Sequence, residues 1–341
     1  MANKHTRYDK RDARVLMNNG IGDQLAEIPS ANFDSAEDAS VFFARELDYI
    51  KSKTYDKEYP EHTALNLFPI SHEVDEGAEF VTYYTYEKQG FAKIVDNYSD
   101  DPPRVDASGK PTTVKIETVA DSYGYSIQEM AASRYAKKSL DARKAEAARY
   151  VMDNTLNKIA WAGDADHGIL GVLSTAQQIP LYSVPNGAGG ATTWKSKTAD
   201  EILADISGML AQVAATTNNV ERPDTLCIPA DVYINISTRR IPDTGITVLK
   251  FLQDNFTQIK NFVSVAELGS TNTFTNPYAS QSKGVALLFT NNDEKLSLEI
   301  PLPFKQYVAQ IKNFETVVPC RARTAGVIVY YPLSAIIAVG I

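Results

Sequence analysis

The sequence predicts a mixed α+β protein, and three observations carry that prediction. Residues 78–119 follow a period of two and are rich in β-branched and aromatic side chains. Residues 126–160 run for 35 positions without glycine or proline, with an apolar stripe at helical spacing. From about residue 199 helix and strand patterns alternate, and after the Asn291-Asn292-Asp293 turn only strand patterns remain.

The chain has 341 residues, 44% of them hydrophobic, with 13 Phe and 18 Tyr, so it can bury a full core and is not a disordered chain. Residues 1–40 hold turn signals (Asn18-Asn19-Gly20, Pro29-Ser30) and read as weakly structured, part of an arm that should lie on something else. A short amphipathic helix is predicted at 36–50, with Phe42, Phe43, Leu47 and Ile50 on one face. The run Glu79-Phe80-Val81-Thr82-Tyr83-Tyr84-Thr85-Tyr86 predicts a strand, continued over 91–97. Turn formers at 99–103 and 108–111 follow, and a return strand is predicted at 112–119. A lone hairpin of this kind is marginal in water, so it calls for a partner surface.

Ser126 and Glu129 have capping-box spacing and open the long helix, and Gly163 closes it. Its apolar stripe comprises Ile127, Met130, Ala131, Tyr135, Ala142, Ala145, Ala148, Met152, Leu156 and Ile159. Such a helix would span roughly 50 Å, longer than a compact domain needs. Beyond a loop at 164–180 and an exposed turn at 185–190, helices are predicted at 199–216, 230–237 and 247–255. Strands are predicted at 225–229, 262–266, 284–290, 296–300, 304–309 and 314–318, then at 327–331 and 335–341. The last 18 residues are uncharged, but Pro332 and Ser334 divide them into two buried strands rather than one membrane anchor. No apolar segment follows Lys4 and Arg7, so no secretory signal is expected.

Little in the sequence supports catalysis. Cys227 and Cys320 read as buried thiols in a reducing compartment, and four histidines (His5, His62, His72, His167) leave little for a metal centre. Asp164-Ala165-Asp166-His167 is the best metal candidate, yet four adjacent loop positions cannot close a coordination shell, so it reads as a helix-ending loop. Gly187-Ala188-Gly189-Gly190 lacks the lysine and hydroxyl of a phosphate-binding loop and reads as a surface turn. No Gly-x-Ser-x-Gly elbow occurs. The expectation is a protein that is not an enzyme and takes no cofactor or metal.

A formal net charge of −8 gives no general affinity for nucleic acid, but the charge is unevenly spread. Residues 1–14 carry Lys4, Arg7, Lys10, Arg11 and Arg14 against Asp9 and Asp12, a net +3. Residues 73–101 carry eight carboxylates against Lys88 and Lys93, a net −6. The long helix is basic again, with Arg134, Lys138 and Arg143 among its cations. Arm, excursion and oversized helix all need neighbouring copies to make sense.

These parts, in this order, resemble tailed-phage major capsid proteins of the Hong Kong 97 type fold. The motifs that carry the resemblance are Phe42-Phe43-Ala44-Arg45-Glu46-Leu47-Asp48-Tyr49-Ile50, Asp121-Ser122-Tyr123-Gly124-Tyr125-Ser126-Ile127-Gln128-Glu129 and Leu140-Asp141-Ala142-Arg143-Lys144, joined by Gly163-Asp164-Ala165-Asp166-His167-Gly168 and Pro319-Cys320-Arg321-Ala322-Arg323. They run from about residue 40 to the C-terminus. The resemblance implies an N-terminal arm at 1–60 and an E-loop hairpin at 78–119. It implies a peripheral domain with a spine helix at 61–77, 120–165 and 293–324, and an α/β axial domain at 166–292 and 325–341.

It also implies self-assembly into an icosahedral shell of hexamers and pentamers around double-stranded DNA, in a virion assembled in the host bacterial cytoplasm. The inner face would present Lys4, Arg7, Lys10, Arg11, Arg14, Arg134, Lys138 and Arg143 to phosphate without sequence specificity. Contacts between subunits are expected from Tyr84, Tyr86, Lys88, Phe91, Lys93 and Arg104. A portal and a separate scaffolding protein are expected partners, and no membrane. The alternative is an encapsulin-type shell, which shares the fold but encloses an enzyme.

Overall fold

A computed structural model of the chain describes residues 59–94, 103–136, 141–242, 244–270, 276–278 and 283–341. The helix predicted at 36–50 lies outside them. Within Glu61–Ile341 the chain forms one unit. It opens with a single helical turn, α1 (Thr63–Leu67), and a two-residue strand, β1 (Ile70–Ser71).

The predicted excursion is a hairpin of β2 (Phe80–Gln89) and β3 (Asp106–Lys115), ten pairs long from Phe80 opposite Lys115 to Gln89 opposite Asp106. Its alternation has a physical cause. Val81, Tyr83 and Thr85 turn toward the body, while Phe80, Thr82, Tyr84 and Tyr86 turn to solvent. Residues 91–94 are not strand, in contrast to the predicted continuation. The return strand also differs from prediction. β3 ends at Lys115, the buried Ile116 bonds to the Glu79 carbonyl at 2.9 Å, and β4 (Glu117–Ser126) enters another sheet. There it pairs along its whole length with β14 (Glu315–Thr324). Asp121, Ser122 and Gly124 have low strand propensity, so the middle of β4 depends on this partner more than on its own residues.

Ser126 and Glu129 exchange the predicted capping bonds, at 3.0 and 3.1 Å, and start α2 (Ile127–Ala136). α3 (Asp141–Ala162) follows, residues 137–140 lying outside the description. Ala148, Met152, Leu156 and Ile159 bury its inner face, as the spacing predicts, and Ala160, outside the predicted stripe, is buried beside them. α2 departs from the predicted stripe: it buries no side chain, and Tyr135 is 94% exposed. Gly163 ends α3 at φ 75°, where any Cβ would lie 2.6 Å from the Ile169 carbonyl oxygen. The predicted loop after it contains a small hairpin, β5 (Gly163–Asp164) with β6 (Ile169–Leu170).

The remaining elements are β7 (Leu181–Ser183), α4 (Ala199–Thr217), β8 (Thr225–Pro229), α5 (Ala230–Thr238), α6 (Val248–Asn255) and β9 (Asn261–Val265). They continue with β10 (Val285–Phe289), β11 (Leu296–Glu299), β12 (Leu302–Gln306), β13 (Gln310–Lys312), β14, β15 (Gly326–Val329) and β16 (Ala335–Val339). One mixed sheet runs β7-β16-β10-β8-β9 and a second runs β1-β11-β15-β6-β5. In a third, β14 pairs with β12, β13 and β4. The C-terminal apolar stretch is thus β15 and β16, both buried, and no helix among the described residues is long and apolar enough to cross a membrane.

Strands β10 and β16 are apolar at every position because both faces of their sheet are covered. Val285, Leu287 and Phe289 join a core with α1 and α3, while Ala286 and Leu288 join one with α4, α5 and α6. Cys227 and Cys320 are both buried, and burial alone pushes the Cys227 thiol far above its ordinary range. The loop before α4 is locked by a buried ion pair. Lys197 Nζ lies 2.5 Å from Asp205 Oδ2, the Trp194 indole donates to the same oxygen at 2.9 Å, and Arg239 donates to the carbonyls of Trp194, Lys195 and Lys197.

Candidate subunit interface

The outward face of the β2–β3 hairpin collects aromatic side chains over small ones. Tyr84 lies opposite Pro111 and Tyr86 opposite Gly109, and the two rings stack with centroids 6.3 Å apart. Gly109 is the residue this requires: a Cβ there would stand 2.8 Å from Tyr86 Cε1, so the ring lies flat against bare backbone. Phe80, Tyr84 and Tyr86 are 55%, 60% and 71% exposed, an unusual amount of aromatic surface for one sheet face. Lys88 continues this face, and Phe91, Lys93 and Arg104 are exposed near the far end of the hairpin. The structure therefore gathers the six residues predicted for subunit contact onto one excursion. Lys88, Lys93 and Arg104 form no ion pair among the described residues.

The hairpin root is fixed to the body. Tyr83 meets Tyr330 edge-on with centroids 4.9 Å apart, over a small core of Val114, Ile116, Ala325 and Ile328. Beside this contact is a cleft of about 620 Å³ whose walls include Glu73, Tyr83, Tyr84, Lys295, Ser297, Glu299, Tyr330 and Tyr331. Burial raises the Tyr330 hydroxyl, so it stays a neutral donor to Glu299 Oε1 at 3.2 Å. This cleft went unseen in the sequence, because Tyr83, Glu299 and Tyr330 are far apart along the chain.

A second exposed apolar group surrounds β13. Val308, Ile311 and Phe314 are 86%, 83% and 81% exposed beside a trough of about 700 Å³ floored by Ser122, Gly124 and Ser126.

The predicted phosphate-facing residues divide. Arg134 on α2 and Arg143 on α3 are exposed, whereas Lys4, Arg7, Lys10, Arg11, Arg14 and Lys138 lie outside the described residues. At the metal candidate, His167 Nδ1 is 2.7 Å from Asp164 Oδ2, and this bond holds Asp164 below and His167 above their usual values. No group of three His, Cys, Asp or Glu side chains among the described residues is placed to hold a metal ion. At the glycine-rich turn, Glu201 accepts from Ala188 N at 2.6 Å and also caps α4, so that carboxylate serves the backbone.

With this geometry in view, the decisive observation is a match between residues 90–341 and the family model described as "Major capsid protein". The chain belongs to the major capsid protein family. Among solved structures it is similar to the capsid of Myoviridae phage XM1, with TM-score 0.74 and 18% identity over 89% of this chain and 100% of that one. It is similar to the capsid of a native GTA particle, with TM-score 0.62 and 9% identity over 91% and 99% of the two chains. A structure from Mycobacterium phage Ogopogo matches with TM-score 0.57 and 12% identity over 86% and 96%. At such identities the likeness is one of fold: a major capsid protein whose mixed helix-and-sheet architecture is that of phage capsids. No curated protein matches the chain. The family's role is structural, and the nanocompartment alternative gains no support from the match.

Proposed function

We propose that this major capsid protein assembles with itself into an icosahedral shell of hexamers and pentamers that packages the double-stranded DNA of a tailed phage or prophage. The observation that carries the reading is the hairpin of β2 and β3, a two-stranded ladder whose outward face exposes Phe80, Tyr84 and Tyr86. A monomer gains nothing from that surface, and a neighbouring copy lying under it would offset both the exposed area and the cost of ordering the hairpin. In this reading 78–119 is the E-loop and α2 with α3 is the spine helix. The division of 61–341 into peripheral and axial domains keeps the boundaries given above.

Arg134 and Arg143 would then face the shell interior together with Lys138 and the basic arm at Lys4, Arg7, Lys10, Arg11 and Arg14. Contacts of this sort are with phosphate, lack sequence specificity and weaken with salt. Portal and scaffolding proteins complete the reading, with assembly in the host cytoplasm and no enzymatic activity. Negative-stain microscopy of purified particles, with nuclease-protected nucleic acid measured, tests it. Closed shells retaining protected DNA are the expected result. Shells holding a protein cargo and no DNA would move the protein to the nanocompartment reading, and a discrete small oligomer as the sole product would overturn assembly itself.

A further inference from the structure

Tyr331 and Lys295 line the cleft at the hairpin root together with Glu299, Tyr330 and Tyr83, and of the two tyrosine and glutamate pairings there only that of Tyr331, with Glu221 behind it, holds a cation. In the first, the Lys295 ammonium lies 4.4 Å from the centre of the Tyr331 ring and 2.7 Å from Glu221 Oε1. An aromatic face and a carboxylate together hold that charge. In the second, Glu299 Oε1 accepts from Ser297 Oγ at 2.7 Å and from Tyr330, whose ring meets Tyr83. Glu299 is 2% exposed, yet its Oε2 has no hydrogen-bond partner among the described residues. A buried carboxylate oxygen without a donor is costly.

We propose that Glu299, Tyr330 and Tyr83 form a binding site for an alkylammonium or guanidinium group. Glu73, Asp293 and Glu294 also line this cleft, and its cation, Lys295, is committed to Glu221. Tyr83 belongs to the hairpin, while Tyr330 and Glu299 belong to the body. An occupant would therefore bridge the two and stiffen the root. The cation has two sources of the same chemistry, a small free amine or a lysine or arginine side chain of a neighbouring copy. Only the second source rests on the assembly reading.

The test uses n-butylammonium chloride on the full chain, held unassembled, against an equal concentration of sodium chloride. At saturation the amine is expected to raise the melting temperature by about 2 °C or more, because it binds the folded state alone. Glu299→Gln, which keeps an acceptor for Ser297 and Tyr330, is expected to lose that rise. Should that variant not fold, Glu73→Gln with Glu294→Gln, both at exposed positions, is expected to raise the half-saturating concentration several-fold. No rise beyond that in sodium chloride, or an equal rise in the variants, would overturn the site. Repeating the titration on assembled shells separates the sources. Continued binding identifies a free amine, and loss of binding identifies a neighbour's side chain. A chain that binds the amine but forms no shells would leave the site standing and the assembly reading overturned.

Discussion

Gly326 opens β15 at φ 77°, and a Cβ there would lie 2.3 Å from the Leu170 carbonyl oxygen. Neither strain nor clash has a flexible side chain to absorb it, so Gly326→Ala is expected to cost about 2–4 kcal/mol. Urea unfolding should show a lower midpoint with an unchanged slope. A second residue-scale prediction concerns Lys197 and Asp205, whose side chains are 1% and 2% exposed. Burial raises the Asp205 carboxyl, and the bonds from Lys197 and Trp194 oppose that rise. Lys197→Met leaves the carboxylate without its countercharge and should cost about 3–5 kcal/mol, read in the same experiment. His167 gives a pH dependence with a definite sign. Its bond to Asp164 raises it above the usual 6.5, so the charged pair is fully formed below that value and is lost as pH rises through the raised one. Titration followed by NMR should place the midpoint above 6.5, and Asp164→Asn should bring it down.

Among the elements, α3 and the hairpin respond to opposite tests. Ala145 sits in the first half of α3, half-buried, where glycine should cost about 1 kcal/mol of helix stability. A lowered melting temperature of the unassembled chain checks this, and unchanged particle yield and heat resistance would count against the long helix as the shell's spine. The hairpin depends on its root: Tyr83→Ala removes the ring packed against Tyr330. Amide exchange in 80–89 and 106–115 should then accelerate, while β10 and β16 stay protected.

At the scale of the whole molecule, the formal charge of −8 is a poor guide to partners, because it averages a basic arm and helix with an acidic excursion. Under the proposed assembly these populations would meet different solvents, and the charge of the inner face would govern contact with DNA. The outward hairpin face supplies a matching prediction about assembly. Tyr84→Ser with Tyr86→Ser replaces exposed rings and should leave the chain folded and soluble while particle yield falls, as measured by sedimentation. Full yield from this variant would remove the hairpin face from the interface.

The sequence alone determined the elements whose signal is local. β8 lies at the predicted 225–229, and β10 and β16 fall within the predicted runs, because strands covered on both faces are apolar at every position. The capping box of Ser126 and Glu129 and the stop at Gly163 were equally legible, since each depends on residues within one turn. The order of these elements and their separated motifs also sufficed for the family. Only the tertiary structure decided the rest. β4 is a strand because β14 pairs with every residue of it, and Asp121, Ser122 and Gly124 give no sign of that. Tyr135 has the right spacing for a core, but α2 buries no side chain. The cleft at Glu299 likewise has no linear signature, because Tyr83 and Tyr330 are brought together by a ring contact across 247 positions. Propensity and periodicity act over a few residues, whereas burial is set by whatever the folded chain, or its neighbour, places opposite.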